Sequence, residues 1–288
     1  MPTFDTPTPI SVTVDLGFGN VVIAAGDRDT TVVEVVPSDV SNDEDRSAAE
    51  KTRVERTDDG LLVRAPKLRS WLSRSGGGSV DVTIALPAGS HVHGALGSAD
   101  VSATGHLGDC RIKTGLGNLR LETAETVHLR SGSGDITVAR VTGRTDVLTG
   151  SGDVRLDELG AGAVVKNSNG DTWIGVTAGD LRVRAANGDI DVDRAHADVA
   201  ATSANGNISV RDVTRGLVVL ETQVGDLDVG IREGTAAWLD VSAKAGRVHN
   251  TLEATDGPDN ADDTVKVRAR TTMGQITIRR AQGATDAQ

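Results

Sequence analysis

Gly134-Asp135-Ile136-Thr137-Val138, Gly152-Asp153-Val154-Arg155-Leu156, Gly170-Asp171-Thr172-Trp173-Ile174 and Gly188-Asp189-Ile190-Asp191-Val192 are four copies of one phrase. Each runs glycine, an acid, then two mostly apolar residues around a third that varies. Gly117-Asn118-Leu119-Arg120-Leu121 precedes them and Gly206-Asn207-Ile208-Ser209-Val210 follows, so the six glycines stand 17, 18, 18, 18 and 18 residues apart. Looser copies sit at Ala99-Asp100, Gly225-Asp226, Gly246-Arg247 and Gly274-Gln275. A fixed period of this kind marks stacked structural repeats.

Counting from each glycine, positions +2 and +4 are apolar, as in Ile136 and Val138, Ile190 and Val192, or Leu227 and Val229. A period of two is a strand with one buried face. A second strand precedes each glycine, with apolar residues at −7 and −5: Val127 and Leu129, Val199 and Ala201, Leu239 and Val241. Eighteen residues are too few for a propeller blade, which needs about 40. They suit one turn of a β-solenoid, whose like positions stack about 4.8 Å apart along the sheet. The glycine supplies a positive φ at the corner, and the Asp or Asn beside it holds backbone N–H groups. The fold expected is therefore all-β: a single-chain β-solenoid of about 18-residue coils. The coils from Ala99 to Gly246 should form one stack, with parallel pairing between successive turns and right-handed by the usual chirality of parallel crossovers.

Composition fits a thin interior. Of the 288 residues 38% are hydrophobic, but there are only two Phe, three Trp and no Tyr, leaving Val, Ile, Leu and Ala to fill the layers. The ends depart from the period. Ser11-Val12-Thr13-Val14, Asn20-Val21-Val22-Ile23 and Thr31 to Val35 are strand-like, Asn42 to Lys51 is a loop or short helix, and strands return at Gly60 to Val63 and Val80 to Ile84 across a Ser75-Gly76-Gly77-Gly78-Ser79 link. Residues 1–90 read as an irregular β N-terminal cap, 91–280 as solenoid repeats and 281–288 as a disordered tail. An acidic loop, Glu253 to Asp263, precedes the last coil.

Val82-Thr83-Ile84-Ala85-Leu86-Pro87-Ala88-Gly89, followed by Ser-Gly-Asp or Asn-Gly-Asp corners at Ser133, Ser151, Asn169 and Asn187, resembles the bacterial putative-adhesin family, a β-helical domain family of unknown function. The resemblance covers most of residues 10–280. It implies a right-handed β-helix and adhesion, and brings no catalytic residue with it.

The chemistry-bearing residues point away from catalysis. Forty-one acids against 30 Lys and Arg give a net charge of −11, which disfavours nucleic acid or anionic lipid as a partner of the whole molecule. The single Cys110 excludes a disulfide framework and fits a small core residue. His91 and His93 are the only close histidine pair and have no third ligand nearby in sequence. Calcium-binding β-rolls place Asp two residues after Gly rather than beside it, so the Gly-Asp pairs read as corners. No metal or cofactor is expected. Met1 to Ile10 shows no signal peptide and no stretch is apolar enough to span a membrane, so the reading expects a cytoplasmic protein.

What remains is a surface. The outward −6 and −4 positions carry Arg111, Lys113, Arg130, Lys166, Arg182 and Arg184, a basic column in an acidic chain, and the outward +3 column carries Trp173, expected to be exposed. The same column would arise if these bases only solubilised the sheet and blocked edge pairing. These seven residues form the candidate partner-binding face of a non-enzymatic scaffold. Its partner would be an unknown protein or an anionic glycan, or another copy through the acids Asp256, Asp259, Asp262 and Asp263. The alternative is a carbohydrate-active β-helix enzyme, a lyase or hydrolase, built on pairs such as Asp191 and Asp193.

Overall fold

The computed structural model describes residues 2–58, 60–66, 78–253 and 263–281. Ser75 to Gly77 of the glycine link, the acids Asp256, Asp259 and Asp262, and the tail 282–288 lie outside the described residues. Among the described residues are 23 strands and one helix, Asp43–Lys51, and the chain divides into two compact units, Met1–Ser151 and Gly152–Gln288.

The second unit shows the β-helix in its plainest form. Ala163–Asn169, Leu181–Asn187, Val199–Asn205 and Gly216–Val224 pair in parallel as one sheet, with Val165, Val183, Ala201 and Leu220 in register. Val154–Leu159, Thr172–Thr177, Ile190–Ala195, Ile208–Val213 and Leu227–Ile231 form another, aligning Leu156, Ile174, Val192, Val210 and Val229. All nine of these side chains are fully buried. Each contributes roughly 1.5–3 kcal/mol by leaving water, and only because the coils above and below cover it.

The corners explain the period. Gly188 has φ of 127°, and a Cβ there would stand 2.1 Å from the Gly170 carbonyl oxygen, so neither the conformation nor the space admits a side chain. The neighbouring acid reaches across coils rather than within its own: the Asp153 carboxylate accepts from the Asp171 N–H at 2.9 Å, Asp171 from Asp189 at 2.9 Å, and Asp189 from Asn207 at 2.8 Å. Three residues before most of the glycines a polar side chain is buried, at Thr114, Ser131, Thr149, Asn167, Ser203, Thr222 and Thr271, and the Thr222 hydroxyl donates to the Gly206 carbonyl at 3.0 Å. Left unbonded, such a group would cost about 1–3 kcal/mol.

Sequential stacking fails after Gly225. The Gly225 N–H donates to the Met273 carbonyl and the Gly274 N–H to the Ala245 carbonyl, so the coil of Gly274 lies between those of Gly225 and Gly246. Strand Asp263–Met273 pairs in parallel with Gly216–Val224 on one side and Thr235–Ala245 on the other. The physical reason is in the inward columns. The Gly274 coil offers Val267, Ala269, Ile276 and Ile278, all buried, whereas the Gly246 coil offers Leu239, Val241 and Val248 but ends its column with Asn250. The more apolar copy takes the sandwiched place.

The first unit repeats this at its own start. Ser11–Gly26 runs between His91–Leu116 on one side and Gly60–Arg64 with Val80–Pro87 on the other, all in parallel. Gly19-Asn20-Val21-Val22-Ile23 is thus an unrecognised copy of the ruler, with φ of 140° at Gly19. Its outer neighbours are themselves covered. Thr30–Pro37 pairs antiparallel with Val80–Pro87, and Arg53–Thr57 antiparallel with Gly60–Arg64. The segment read as loop or short helix is a helix, N-capped by Asn42, whose side chain accepts from the Glu44 N–H at 2.8 Å. Its buried Asp45 accepts from the Ser79 N–H at 2.8 Å and ties the helix to the sheet.

Candidate binding face

The basic column separates into one group in each unit. In the first, Lys113 and Arg130 are register partners on His91–Leu116 and Leu119–Ser133, and Arg111 is the partner of His128. In the second, Lys166 on Ala163–Asn169 pairs with Arg184 on Leu181–Asn187, and Arg182 lies opposite Val164. All six bases are exposed and point outward from the strand that precedes the glycine.

Their electrostatic situations differ. Arg111 is held by Asp109, Nε to Oδ2 at 2.7 Å. Asp109 also accepts from the Thr126 hydroxyl at 2.8 Å and lies 3.9 Å from His93, while its backbone N–H donates to His91 Nδ1 at 2.8 Å. Burial pushes the Asp109 carboxyl up, but Thr126, Arg111, His128 and His93 together bring it below the ordinary aspartate value. Topology therefore places three dispersed histidines around one acid, a grouping that linear spacing could not show. Lys113, Arg130, Lys166, Arg182 and Arg184 make no ion pair among the described residues. Like charges on neighbouring strands repel, so Lys113 beside Arg130 and Lys166 beside Arg184 cost stability when nothing faces them.

Trp173 is not part of that face. It lies on Thr172–Thr177 in the other sheet and is half-buried, contrary to the exposure expected. The Arg155 guanidinium sits 3.7 Å from its ring centroid, and the bare Gly175 leaves room for the ring edge. Among the described residues the exposed tryptophan is Trp238, 65% accessible, on the loosely repeated coil of Gly246. Cys110 is buried as expected, and burial with Asp109 nearby pushes its thiol up to about 12.

The carboxylates considered for sugar chemistry lie on the Trp173 sheet. Asp191 and Asp193 are bridged by Arg211 at 3.4 and 2.5 Å. Burial raises the Asp191 carboxyl, Arg211 opposes this, and Asp189, Asp193 and Asp171 add to it.

With the periodic coil and its corner ladder in place, the comparison of sequences is decisive: residues 10–286 match the Toastrack DUF4097 family. The chain belongs to that family. No curated protein matches it. Solved structures similar to this Toastrack chain include a putative cell adhesion protein of Clostridium sporogenes, 12% identical over 97% of this chain and 98% of that one, with a TM-score of 0.22. Two others are a putative adhesin of Bacteroides fragilis, 12% identical over 96% and 95% at a TM-score of 0.33, and a putative adhesin of Parabacteroides distasonis, 16% identical over 97% and 95% at 0.29. As a Toastrack DUF4097 member the chain is a β-helical protein, and no described helix is long and apolar enough to cross a membrane.

Proposed function

We propose that this protein is a non-enzymatic binding scaffold whose pre-glycine sheet docks an anionic partner, either an acidic protein segment or an anionic glycan. One observation carries the reading: in a chain of net charge −11, five exposed bases on one kind of strand have no acid within ion-pair distance among the described residues. An anion placed over Lys113 and Arg130, or over Lys166 and Arg184, would relieve the repulsion between register partners. Assembly with further copies is the second mode of the same scaffold. A cytoplasmic location belongs to the proposal and is tested by cell fractionation.

The test is binding of a poly-glutamate peptide and of a sulfated glycan to the full chain at low and high salt, by calorimetry. Replacing Lys166 and Arg184 with Glu, and separately Lys113 and Arg130, should weaken binding about tenfold or more per pair, since each removes attraction and adds repulsion. Unchanged binding in both variants would sink the reading. The enzyme alternative draws on Asp191, whose carboxyl is raised by burial and which has a second carboxylate, Asp193, beside it. Arg211 spans both carboxylates. Turnover of an acidic polysaccharide that is lost in Asp191→Asn would favour that alternative.

A further inference from the structure

We propose that strand Thr235–Ala245 is a self-association edge, which pairs antiparallel with the same strand of a second copy about a two-fold axis at Ser242. This rests on the reading of the protein as a binding scaffold and specifies its second mode. The strand is eleven residues long, contains no proline, and pairs only with Asp263–Met273 among the described residues. Its outer side therefore presents a row of unpaired N–H and C=O groups, a template for another strand. The inward residues Val265, Val267, Ala269 and Thr271 of the sandwiched neighbour are buried, yet Leu239, Val241 and Ala243 are only half-buried and Val248 is exposed, because no coil of the described residues covers them. The interior thus ends in a cut apolar face. What completes such a face is another coil of the same cross-section, and a second copy supplies one.

The register follows from charge. Thr-Ala-Ala-Trp-Leu-Asp-Val-Ser-Ala-Lys-Ala has one acid, Asp240, and one base, Lys244, and their midpoint is Ser242. Antiparallel pairing about that residue sets Asp240 opposite Lys244 twice, once on each side of the axis. Arg268 and Arg270 already lie 3.8 and 3.5 Å from Asp240 on its inner side, which leaves the outer side of the carboxylate to a base from the second copy. On the outward face Trp238 falls opposite Gly246, where an aromatic ring covers a strand position that has no side chain. On the inward face Val241 meets Ala243 on both sides of the axis, closing each interior with the other. An axis at Asp240 would instead set acid against acid, and one at Val241 would leave Lys244 facing Trp238. The edge is isologous, and the outer coil of the first unit is already occupied by antiparallel strands, so pairing closes at a dimer rather than a filament.

The experiment is sedimentation of the full chain across a range of concentrations, with exchanges at the two charges. The wild type should reach twice the monomer mass. Asp240→Lys alone and Lys244→Asp alone should each weaken the dimer about tenfold or more, and the double exchange should restore it. Ser242→Cys should give a disulfide-linked dimer under mild oxidation while Val241→Cys does not, and buried Cys110 leaves the assay clean. Both Cys variants and all charge variants are exposed or half-buried changes, and circular dichroism confirms the fold. A monomer at every concentration overturns the proposal, as does a dimer indifferent to both charges and to the thiol at 242. Anion binding by Lys166 and Arg184 variants is read separately, so loss of the docking face and loss of the edge are told apart.

Discussion

The outer coil of the first unit and that of the second are built by the same route and finished differently. In the first unit the N-terminal strand Ser11–Gly26 takes the second place in the stack, and the outermost place is filled by Gly60–Arg64 and Val80–Pro87. In the second unit the C-terminal strands Asp263–Met273 and Ile276–Arg280 take the place inside, and Thr235–Ala245 with Val248–Asn250 lies outermost. Ser11–Gly26 and Asp263–Met273 are each held between two coils, where they cannot fray. The N-terminal outer coil then receives an antiparallel strand along each edge and a capped helix beside it, while the C-terminal outer coil receives nothing from the described residues. An edge so treated is protected against pairing; an edge left bare is available for it.

That contrast predicts its largest effect for inward charge. Val82 is 1% exposed beneath a covering strand, and Val82→Asp should cost about 4 kcal/mol or more and unfold the N-terminal unit. Val241→Asp, at the same kind of inward position in the bare coil, should cost the monomer about 1 kcal/mol when measured at concentrations too low for pairing of copies, because water reaches the site. Denaturant titration of both variants measures the difference, and equal losses would mean the C-terminal coil is covered as well.

Glycine sharpens it at intermediate size. Gly188→Ala must clear a backbone carbonyl that stands 2.1 Å from the new Cβ and must hold φ of 127°, for an expected loss of about 3 kcal/mol. Gly234, just before the bare strand, has φ of 80° and open space around it, so Gly234→Ala should lose about 1 kcal/mol from conformation alone. Hydrogen exchange then tests the order of coils directly. In the monomer, at concentrations too low for pairing of copies, amides of Asp263–Met273, bonded on both sides, should exchange about tenfold or more slowly than those of Thr235–Ala245. A stack in sequence order would reverse the two.

The regular coils were legible because every column repeats a chemical requirement: glycine where a neighbouring carbonyl leaves no room, Asp or Asn where an N–H of the next coil needs an acceptor, Val or Ile where the layer is closed. Gly19-Asn20-Val21-Val22-Ile23 met the same requirements and escaped notice only because it stands alone, far from the run. The order of the last coils was hidden for a different reason. Spacing says which residues belong to a coil but not which coil stands next to which, and that choice rests on small differences such as Ile278 against Asn250. Of the candidate face, the outward direction of the six bases followed from the period of two, whereas Arg111 and Asp109 meeting, and Trp173 lying under Arg155, depended on packing between neighbouring side chains. The open edge at Trp238 was invisible for the same reason as the coil order.

The smallest expected effect distinguishes the units by pH. His196, in the second unit, is lowered by burial and by Arg232 and Arg194, against which Asp212 acts. Its ring contacts Thr214 at 3.3 Å, and Arg215 donates to its carbonyl. Between the lowered folded value and the ordinary histidine value of 6.5, the unfolded chain binds more protons than the folded one, so stability falls as pH drops through that window. In the first unit Asp109 is lowered from 3.8, and its contribution is present above that value and lost only in stronger acid, as pH falls through the folded value. Mild acidification from neutral should therefore loosen coils around His196 while leaving those around Asp109 intact. Hydrogen exchange at neutral pH and at about pH 5.5, corrected for the intrinsic rate, reads each unit separately. His196→Gln should remove the difference, and a wild type whose two units respond alike over that range would show that the imidazole is not held neutral by its arginines.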